Sequence, residues 1–200
     1  YTTDGSEPTA TSPLYEKIVP VKEALTLKGA IFAHGRQMGK TLILPVRWNL
    51  ATAKPVLGTN PTEKLLTNGI RGSLKYSDFE WCSWADNDSV SFTIDLLKLE
   101  MLNTLILGCI TNNGMAIHKP ASVRVEVSDD NSKFREAVVQ SFTSEEIFRE
   151  GNFIENLSLK LGGTQARYVR VTAKGPGVCP ASHVRPGQTS RIFFDEVMLE

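Results

Sequence analysis

The stretch that most constrains the fold is residues 89–96, which read SVSFTIDL. Apolar and polar side chains alternate through it, which places four apolar residues on one face of an extended chain: Val90, Phe92, Ile94 and Leu96. Trp81 and Trp84 precede it, followed by the acidic segment Asp86-Asn87-Asp88. A buried indole needs a partner for its N–H, so tryptophan is typical of places where core meets loop. The sequence predicts a central strand of a β-sandwich and the loop that leads into it.

The rest of the chain shows the same kind of pattern. Short apolar or alternating stretches, separated by Gly, Pro and Asn turns, predict strands at residues 26–33, 49–56, 101–110, 122–128, 157–161, 167–173 and 192–199. The stretch 101–110 is nearly all apolar, which is typical of a strand covered on both faces. One short helix is predicted, over residues 144–150. The predicted fold class is therefore all-β, and regularly spaced short strands favour a sandwich.

The charge balance excludes several classes of partner. With 22 basic and 22 acidic residues, the chain has no excess charge to attract nucleic acid or an anionic membrane. No apolar run approaches the roughly 20 residues that span a bilayer, so no membrane insertion is expected. The chain opens on Tyr1 rather than Met, and we expect a fragment whose targeting segment, if any, lies upstream.

The cysteines do not form a recognisable framework. There are three, Cys82, Cys109 and Cys179, which is an odd number and too few for a disulfide scaffold. We predict thiols in the core or in loops, with one disulfide and one remaining thiol as the alternative. No His/Cys cluster has the spacing of a zinc site. The histidines His34, His118 and His183 are predicted to be solvated loop residues.

Two domains are predicted, residues 1–44 and residues 47–200, joined by a linker at Leu44-Pro45-Val46. The first contains a few short strands, with a hairpin turn at His34-Gly35-Arg36, and too little apolar mass for a core of its own. Its segments YTTDGSEPTATSPLY and ALTLKGAIFAHGRQMGK resemble the small immunoglobulin-like module called fibronectin-III-associated. That module follows the catalytic barrel in bacterial β-hexosaminidases. The resemblance implies a truncated copy, because the module normally begins some strands earlier.

The second domain resembles the F5/8 type C, or discoidin-like, family. The motifs NLATAKPV, LLTNGIRGS, WCSW before SFTIDL, KPASVRVEVSDDNSKF, RYVRVTA and FFDEVML occur in the family's order over residues 47–200. The resemblance implies a galactose-binding-like jelly-roll β-sandwich, as in family 32 carbohydrate-binding modules. Together the two modules resemble the C-terminal region of a Bacteroides-type family 20 β-hexosaminidase. A periplasmic, outer-membrane-surface or secreted location follows from that resemblance.

The motifs of common catalytic sites, such as GxSxG, HExxH and the P-loop, do not occur in the sequence. The resemblance therefore implies a non-catalytic accessory region of a glycoside hydrolase, a β-N-acetylhexosaminidase. Its expected partners are the upstream catalytic domain and a glycan containing galactose or N-acetylhexosamine, held near the active site by the tether. Two alternatives remain open: a scaffold that packs on the barrel, and a protein-binding adhesion module.

Three loops carry residues that suit a sugar, which is bound by an aromatic face and by polar groups that hold its hydroxyls. The candidates are Tyr76, Phe79, Trp84, Asn112, Asn113, His118, His183 and Arg185. All three loops are expected to meet at one end of the jelly roll. Trp81 matches the family's buried tryptophan and is predicted to lie in the core, whereas Trp84 suits either the core or the site.

The resemblance also implies a structural calcium ion between the first long loop and a glutamate on the last strand. The corresponding residues are Asn68, Arg71 and Ser73 in the loop, and Glu196. If residues 192–199 alternate strictly, Glu196 shares a face with Phe194 and Met198, where a carboxylate needs a partner or a metal. Asn68 stands where the family has an aspartate. The alternative is that Arg71 or a loop amide satisfies Glu196.

Overall fold

The computed structural model describes residues 1–84 and 89–200, so the predicted acidic loop Asp86-Asn87-Asp88 lies outside the described residues. The chain divides into two compact units, Tyr1–Trp48 (unit 1) and Asn49–Glu200 (unit 2). Among the described residues, no helix has the length and apolar character needed to span a bilayer.

Unit 1 is built on one antiparallel hairpin, β1 (Leu25–Ala33) and β2 (Arg36–Val46). His34 and Gly35 form its turn, both with positive φ (50° and 74°). Turns of this kind match the twist of the flanking strands. The predicted strand and turn are confirmed. The predicted linker at Leu44-Pro45-Val46 is wrong, because these residues continue the ladder and pair with the first residues of β1.

Unit 2 is a β-sandwich, as predicted. Its described strands are β3 (Val56–Leu57), β4 (Cys82–Trp84), β5 (Ser89–Asn112), β6 (Ser122–Ser128), β7 (Arg135–Ser141), β8 (Asn152–Lys174) and β9 (Ile192–Leu199). A single helical turn, α1 (Ser144–Ile147), lies between β7 and β8. Thr143 caps it in a reciprocal arrangement with Glu146, which satisfies two backbone donors at the helix start.

Two long strands, β5 and β8, pass from one sheet of the sandwich to the other. Residues 89–95 pair with 168–174 in the first sheet, whose order is β3-β5-β8-β6-β7. Residues 104–112 pair with 152–160 in the second sheet, whose order is β4-β9-β5-β8. The ladder is irregular between these parts, where Leu97 has a φ of 68°. The sequence predicts each of β5 and β8 as two separate strands, because this bend interrupts the apolar pattern.

The main core lies between the sheets. The apolar face predicted for residues 89–96 is confirmed: Val90, Phe92, Ile94 and Leu96 are all buried in this core. Met101, predicted to lie in a strand covered on both faces, is 54% exposed instead. A second, smaller cluster forms around Trp81, Ile110, Ile117 and Phe193. The indole N–H of Trp81 donates to the Ser73 carbonyl at 3.0 Å, so the predicted core role of Trp81 is confirmed.

The strand predicted over residues 49–56 is wrong except at its end. Asn49 accepts hydrogen bonds from the amides of Ala51 and Leu199 through its Oδ1, at 2.8 and 3.1 Å. The Thr52 hydroxyl accepts from the Asn49 amide at 2.8 Å. Side chains that bond nearby backbone groups in this way favour turns over strands.

Candidate functional site

Strand β9 buries two acidic residues side by side. Leu107 of β5 pairs with Val197, and Cys109 pairs with Phe194, so Asp195 and Glu196 stand opposite Gly108 alone. Such a β-bulge interrupts the alternation of the strand. Both side chains are fully buried, at 0% exposure. The predicted strict alternation, in which only one acid lies on the more buried face, is therefore wrong.

Asp195 is fully partnered. Its Oδ2 accepts from Arg71 Nε at 2.7 Å and from the Gly72 amide at 2.9 Å, and its Oδ1 accepts from the Glu196 amide at 2.7 Å. Arg71 therefore pairs with Asp195 and not with Glu196, so that part of the alternative is wrong. Its other part, a loop amide bonding Glu196, is found at Gly69. A Cβ added at Gly108 would collide with the Asp195 carboxylate and the Arg71 guanidinium.

Glu196 is only half satisfied. Its Oε2 accepts from the Gly69 amide at 3.1 Å, whereas its Oε1 completes no hydrogen bond within residues 1–84 and 89–200. Burial raises the pKa of Glu196 to about 9, and the neighbouring Asp195 carboxylate adds to the rise. This rise in the pKa is opposed, but not cancelled, by the Gly69 amide, Arg71 and the Asn49 side chain. The structure thus holds a buried carboxyl group that needs either a proton or a cation.

The residues near Glu196 fit a hard cation in part. Its Oε1 is a buried carboxylate oxygen without a partner in the described chain, which is the kind of ligand that calcium takes. The two other predicted oxygen donors are engaged elsewhere. Asn68 Oδ1 accepts from the Ile70 amide at 2.8 Å, and the Ser73 hydroxyl donates to Asp78. Remaining ligands would therefore have to be backbone carbonyls of residues 66–73.

A second polar site lies where two loops of unit 2 meet. The loop after β5 and the loop before β9 are joined by hydrogen bonds from the His118 amide to the Arg191 carbonyl (3.1 Å) and from the Arg191 amide to the Ala116 carbonyl (2.9 Å). Arg185 Nε donates to the Gly114 carbonyl. Of the three loops predicted to meet at one end of the sandwich, these hydrogen bonds join two.

Between these loops and the turn after α1 lies a small cavity of about 110 Å³, which we call the loop-end cleft. It is lined by Asn113, Phe148, Glu150, Pro180, Ser182, His183 and Val184. Asn113 is buried, and neither atom of its amide completes a hydrogen bond within the described residues. A buried polar group of this kind usually has a partner, so the unpaired amide indicates a position for a ligand or water.

The eight predicted sugar-binding residues lie in three different places: in the two loops of the cleft, in the loop of residues 76–79, and in the core. Asn113 and His183 line the loop-end cleft, and Asn112, His118 and Arg185 belong to the same pair of loops. Tyr76 packs edge-on against Phe193 at 6.2 Å, and Phe79 is 92% exposed but does not line the cleft. Trp84 is not a surface residue at all.

Trp84 lies in the core between the sheets, at 8% exposure. Its ring stacks against Phe92, with centroids 6.2 Å apart, and meets Phe194 edge-on at 5.6 Å. The proposed sugar-binding role of Trp84 is therefore wrong. The sequence contains a hint of this, because residues three apart on a strand point to opposite faces. If Trp81 packs on the outer side of the second sheet, Trp84 must face the inter-sheet core.

The histidines of the two loops are also buried, not solvated as predicted. His118 is 0% exposed and His183 is 8% exposed, and Cys179 is buried beside them. Cys82, Cys109 and Cys179 are all free thiols. Phe148 and Glu150, which line the cleft, were not predicted, because a residue in a turn carries no local pattern that reveals what it faces.

Two known domain families match parts of this chain. Residues 51–184 match the F5/8 type C domain, and because this match spans well over half of the sequence, the chain belongs to the F5/8 type C domain family. Residues 1–42 match the chitobiase/beta-hexosaminidase C-terminal domain. Both modules predicted from the sequence are thereby confirmed. No curated protein sequence matches the chain significantly.

Solved structures of three other proteins are similar to this chain. Chitosan-binding module 1 of a chitosanase/glucanase from Paenibacillus sp. IK-5 is 16% identical, with a TM-score of 0.50 over 77% of this chain and 99% of that chain. A fucose binding module from Streptococcus pneumoniae is 18% identical over 76% and 97% of the two chains (TM-score 0.46). The C-terminal domain of a chitobiase from Bacteroides fragilis is 16% identical over 68% and 78% (TM-score 0.41).

Proposed function

We propose that this chain is a non-catalytic, glycan-binding accessory region of an extracellular or periplasmic glycoside hydrolase, a β-N-acetylhexosaminidase. Family membership supports an accessory module, and the match of residues 1–42 supports the kind of parent enzyme. The observation that carries the proposal is the loop-end cleft. It places an aromatic ring, Phe148, beside a carboxylate, Glu150, and the unpaired amide of Asn113.

The cleft is suited to the end of a glycan, not to a long chain segment. Its volume of about 110 Å³ is well below that of a pocket enclosing a drug-sized molecule, roughly 300–1,000 Å³. A single sugar edge can enter it, with C–H groups against Phe148 and hydroxyls within reach of Asn113 and Glu150. Galactose and N-acetylhexosamine are the first sugars to test. A chitosan-binding module with this fold supports including amino sugars.

A glycan-array screen followed by calorimetric titration tests this function. The chain is expected to bind a terminal galactose or N-acetylhexosamine. Glu150→Ala should weaken that binding about tenfold, because a hydrogen bond to a charged group is worth roughly 1.5–3 kcal/mol and part of it is recovered by water. Glu145→Ala removes a similar exposed carboxylate that does not line the cleft, and it should leave the affinity unchanged.

Two results would count against the proposal. One is an array with no bound glycan, which would favour the scaffold alternative. The other is equal loss of binding in the Glu150 and Glu145 variants, which would mean that the glycan is held by charge and not by the cleft.

Unit 1 suits the expected contact with an upstream catalytic domain. Its hairpin exposes Ile31, Met38 and Leu42, which line a shallow apolar depression with Gly29 and Ala30. Exposed apolar patches commonly mark interaction sites. Ile31→Lys should leave the melting temperature of this chain unchanged and lower that of a longer chain carrying the catalytic domain. An unchanged melting temperature in the longer chain would place the contact elsewhere.

A structural calcium ion at Glu196 belongs to the same proposal. Binding to the folded state stabilises it in proportion to the logarithm of free ion. A chelator should therefore lower the melting temperature, and added calcium should restore it. Glu196→Gln should abolish this response, because the amide keeps the shape and removes the charge. Glu136→Gln, on the exposed strand β7, is the matched control and should respond like the wild type.

A melting temperature that changes with neither chelator nor calcium would favour a protonated Glu196 instead. In that case the folded group keeps its proton up to about pH 9, while the unfolded group ionises near pH 4.5. Its contribution to stability is then full below pH 4.5 and is lost as the pH rises from 4.5 towards 9. Glu196→Gln would flatten that part of the pH profile.

A further inference from the structure

Three metal-binding side chains meet beneath the loop-end cleft. His118 comes from the loop after β5, and Cys179 and His183 come from the loop before β9. One ligand atom from each residue lies within 4.8 Å of the corresponding atoms of the other two. All three side chains are more than nine-tenths buried. The fold thus assembles a His/Cys cluster that the sequence spacing did not predict.

The two imidazoles lack the partners that buried rings normally have. The Ile147 backbone lies close to the His118 ring. Even so, neither nitrogen of His118 completes a hydrogen bond within the described residues, nor does Nε2 of His183. An imidazole nitrogen that carries no proton offers its lone pair to a metal ion.

The two imidazoles of the cluster pack against each other and against one phenyl ring. The His118 and His183 ring centroids are 4.9 Å apart, with the ring planes at 74°. Phe148 meets both rings edge-on, at 5.0 Å and 6.0 Å. The Cys179 sulfur contacts the Ser190 hydroxyl at 3.4 Å. Both nitrogens of His118 and Nε2 of His183 are left without a partner among the described residues, and buried polar atoms of this kind are costly unless something binds them.

We propose that His118, Cys179 and His183 bind a zinc ion, with a fourth position open towards the loop-end cleft. Zinc prefers neutral imidazole and thiolate ligands and is bound tetrahedrally. Bond lengths of about 2.0 Å to nitrogen and 2.3 Å to sulfur place tetrahedral ligand atoms roughly 3.3–3.7 Å apart. The ligand atoms, which lie within 4.8 Å of one another, would have to approach to reach that separation. The open position takes water, because His183 forms both the cluster and the wall of the cleft.

Zinc binding would release one proton and break one hydrogen bond. The Cys179 thiol loses its proton to solvent and becomes a thiolate ligand of Zn²⁺. His183 Nδ1 now accepts from the Arg185 amide at 3.0 Å. If Zn²⁺ binds Nε2, then Nδ1 must carry the proton and can no longer accept this bond; if it binds Nδ1, it replaces the bond directly. In either case the Arg185 amide must turn to another acceptor, so the ion reshapes the loop that carries Arg185.

Cobalt substitution tests the site without reference to glycan binding. Tag-free protein is stripped with a chelator and titrated with Co²⁺ alone. One equivalent should give the near-ultraviolet thiolate-to-cobalt band and the visible bands of tetrahedral cobalt, and one equivalent of Zn²⁺ should displace it. Cys179→Ser should remove the thiolate band. It should also weaken Zn²⁺ binding by more than the roughly 10–100-fold that loss of an outer hydrogen-bond partner costs at such sites.

Three variants and an excess of calcium are the controls. Cys82→Ser changes another buried cysteine outside the cluster and should leave the cobalt spectrum unchanged. Glu196→Gln should also keep the spectrum, and an excess of calcium should not displace the cobalt. Glu150→Ala should weaken glycan binding and retain the metal. No thiolate band in the wild type, or a band that survives Cys179→Ser, would overturn the proposal, whatever the glycan array shows.

Discussion

Trp84→Ala is expected to lower the free energy of unfolding of unit 2 by roughly 3–5 kcal/mol, as truncation of a core aromatic does. The ring is 8% exposed and packs on Phe92 from the first sheet and Phe194 from the second. Its loss would leave a cavity at the contact between the two sheets. Denaturant unfolding followed by fluorescence of the remaining tryptophans measures the change.

Two comparisons give this result its meaning. Trp81→Ala should cost a similar amount, because Trp81 is buried in the second cluster. Trp48→Ala, with a ring that is 43% exposed in unit 1, should leave the unfolding of unit 2 unchanged. A loss below about 1 kcal/mol for Trp84→Ala, the range of many surface substitutions, would mean that the ring is not part of the core.

Asp195→Ala is expected to have a comparable effect, roughly 3–5 kcal/mol, for an electrostatic reason. The substitution leaves the guanidinium of Arg71 without its carboxylate and the amides of Gly72 and Glu196 without their acceptor. Removing one member of a buried ion pair is costly because the other stays desolvated. Thermal unfolding at several pH values between 6 and 8 would record the loss.

The exposed pair of Asp129 and Arg135 is the matched control. Its charged atoms are 3.6 Å apart, and both side chains are more than half exposed. Ion pairs of this kind contribute roughly 0–1 kcal/mol. Equal effects of Asp195→Ala and Asp129→Ala would contradict the assignment of Asp195 as the buried anchor of the loop that carries Arg71.

The sequence predicts those parts of the fold where local pattern and tertiary contact agree. Residues 89–96 alternate because one face meets the inter-sheet core, so the pattern alone reveals the strand and its buried face. The turn at His34-Gly35 is equally local. The order of the motifs then indicates the family, and membership of that family predicts the β-sandwich.

The bulge in β9 is not predictable from the pattern. Asp195 and Glu196 are adjacent polar residues in an apolar strand, and a strict alternation separates them onto opposite faces. The bulge depends on the register with β5, where Gly108 leaves room for Arg71 to reach Asp195. That register is a property of two distant segments, so it is visible only in the folded chain.

The candidate sites show the same limit. The sequence predicts that three loops meet, and two of them, those carrying Asn113 and His183, line one cleft because they follow and precede strands of one sheet. The sequence does not predict that the His118 side chain is buried, since a histidine next to Lys119 and Pro120 resembles a surface residue. Cys179 and His183 are four residues apart, but their third partner, His118, is brought in by the fold.

Glycan binding in the loop-end cleft can be mapped by titrating ¹⁵N-labelled protein with the strongest array ligand and following the amide chemical shifts. We expect progressive shifts in residues 112–118, 148–151 and 180–185, with unit 1 unaffected. Shifts confined to unit 1 or to residues 73–80, or no shifts at saturating ligand, would contradict it.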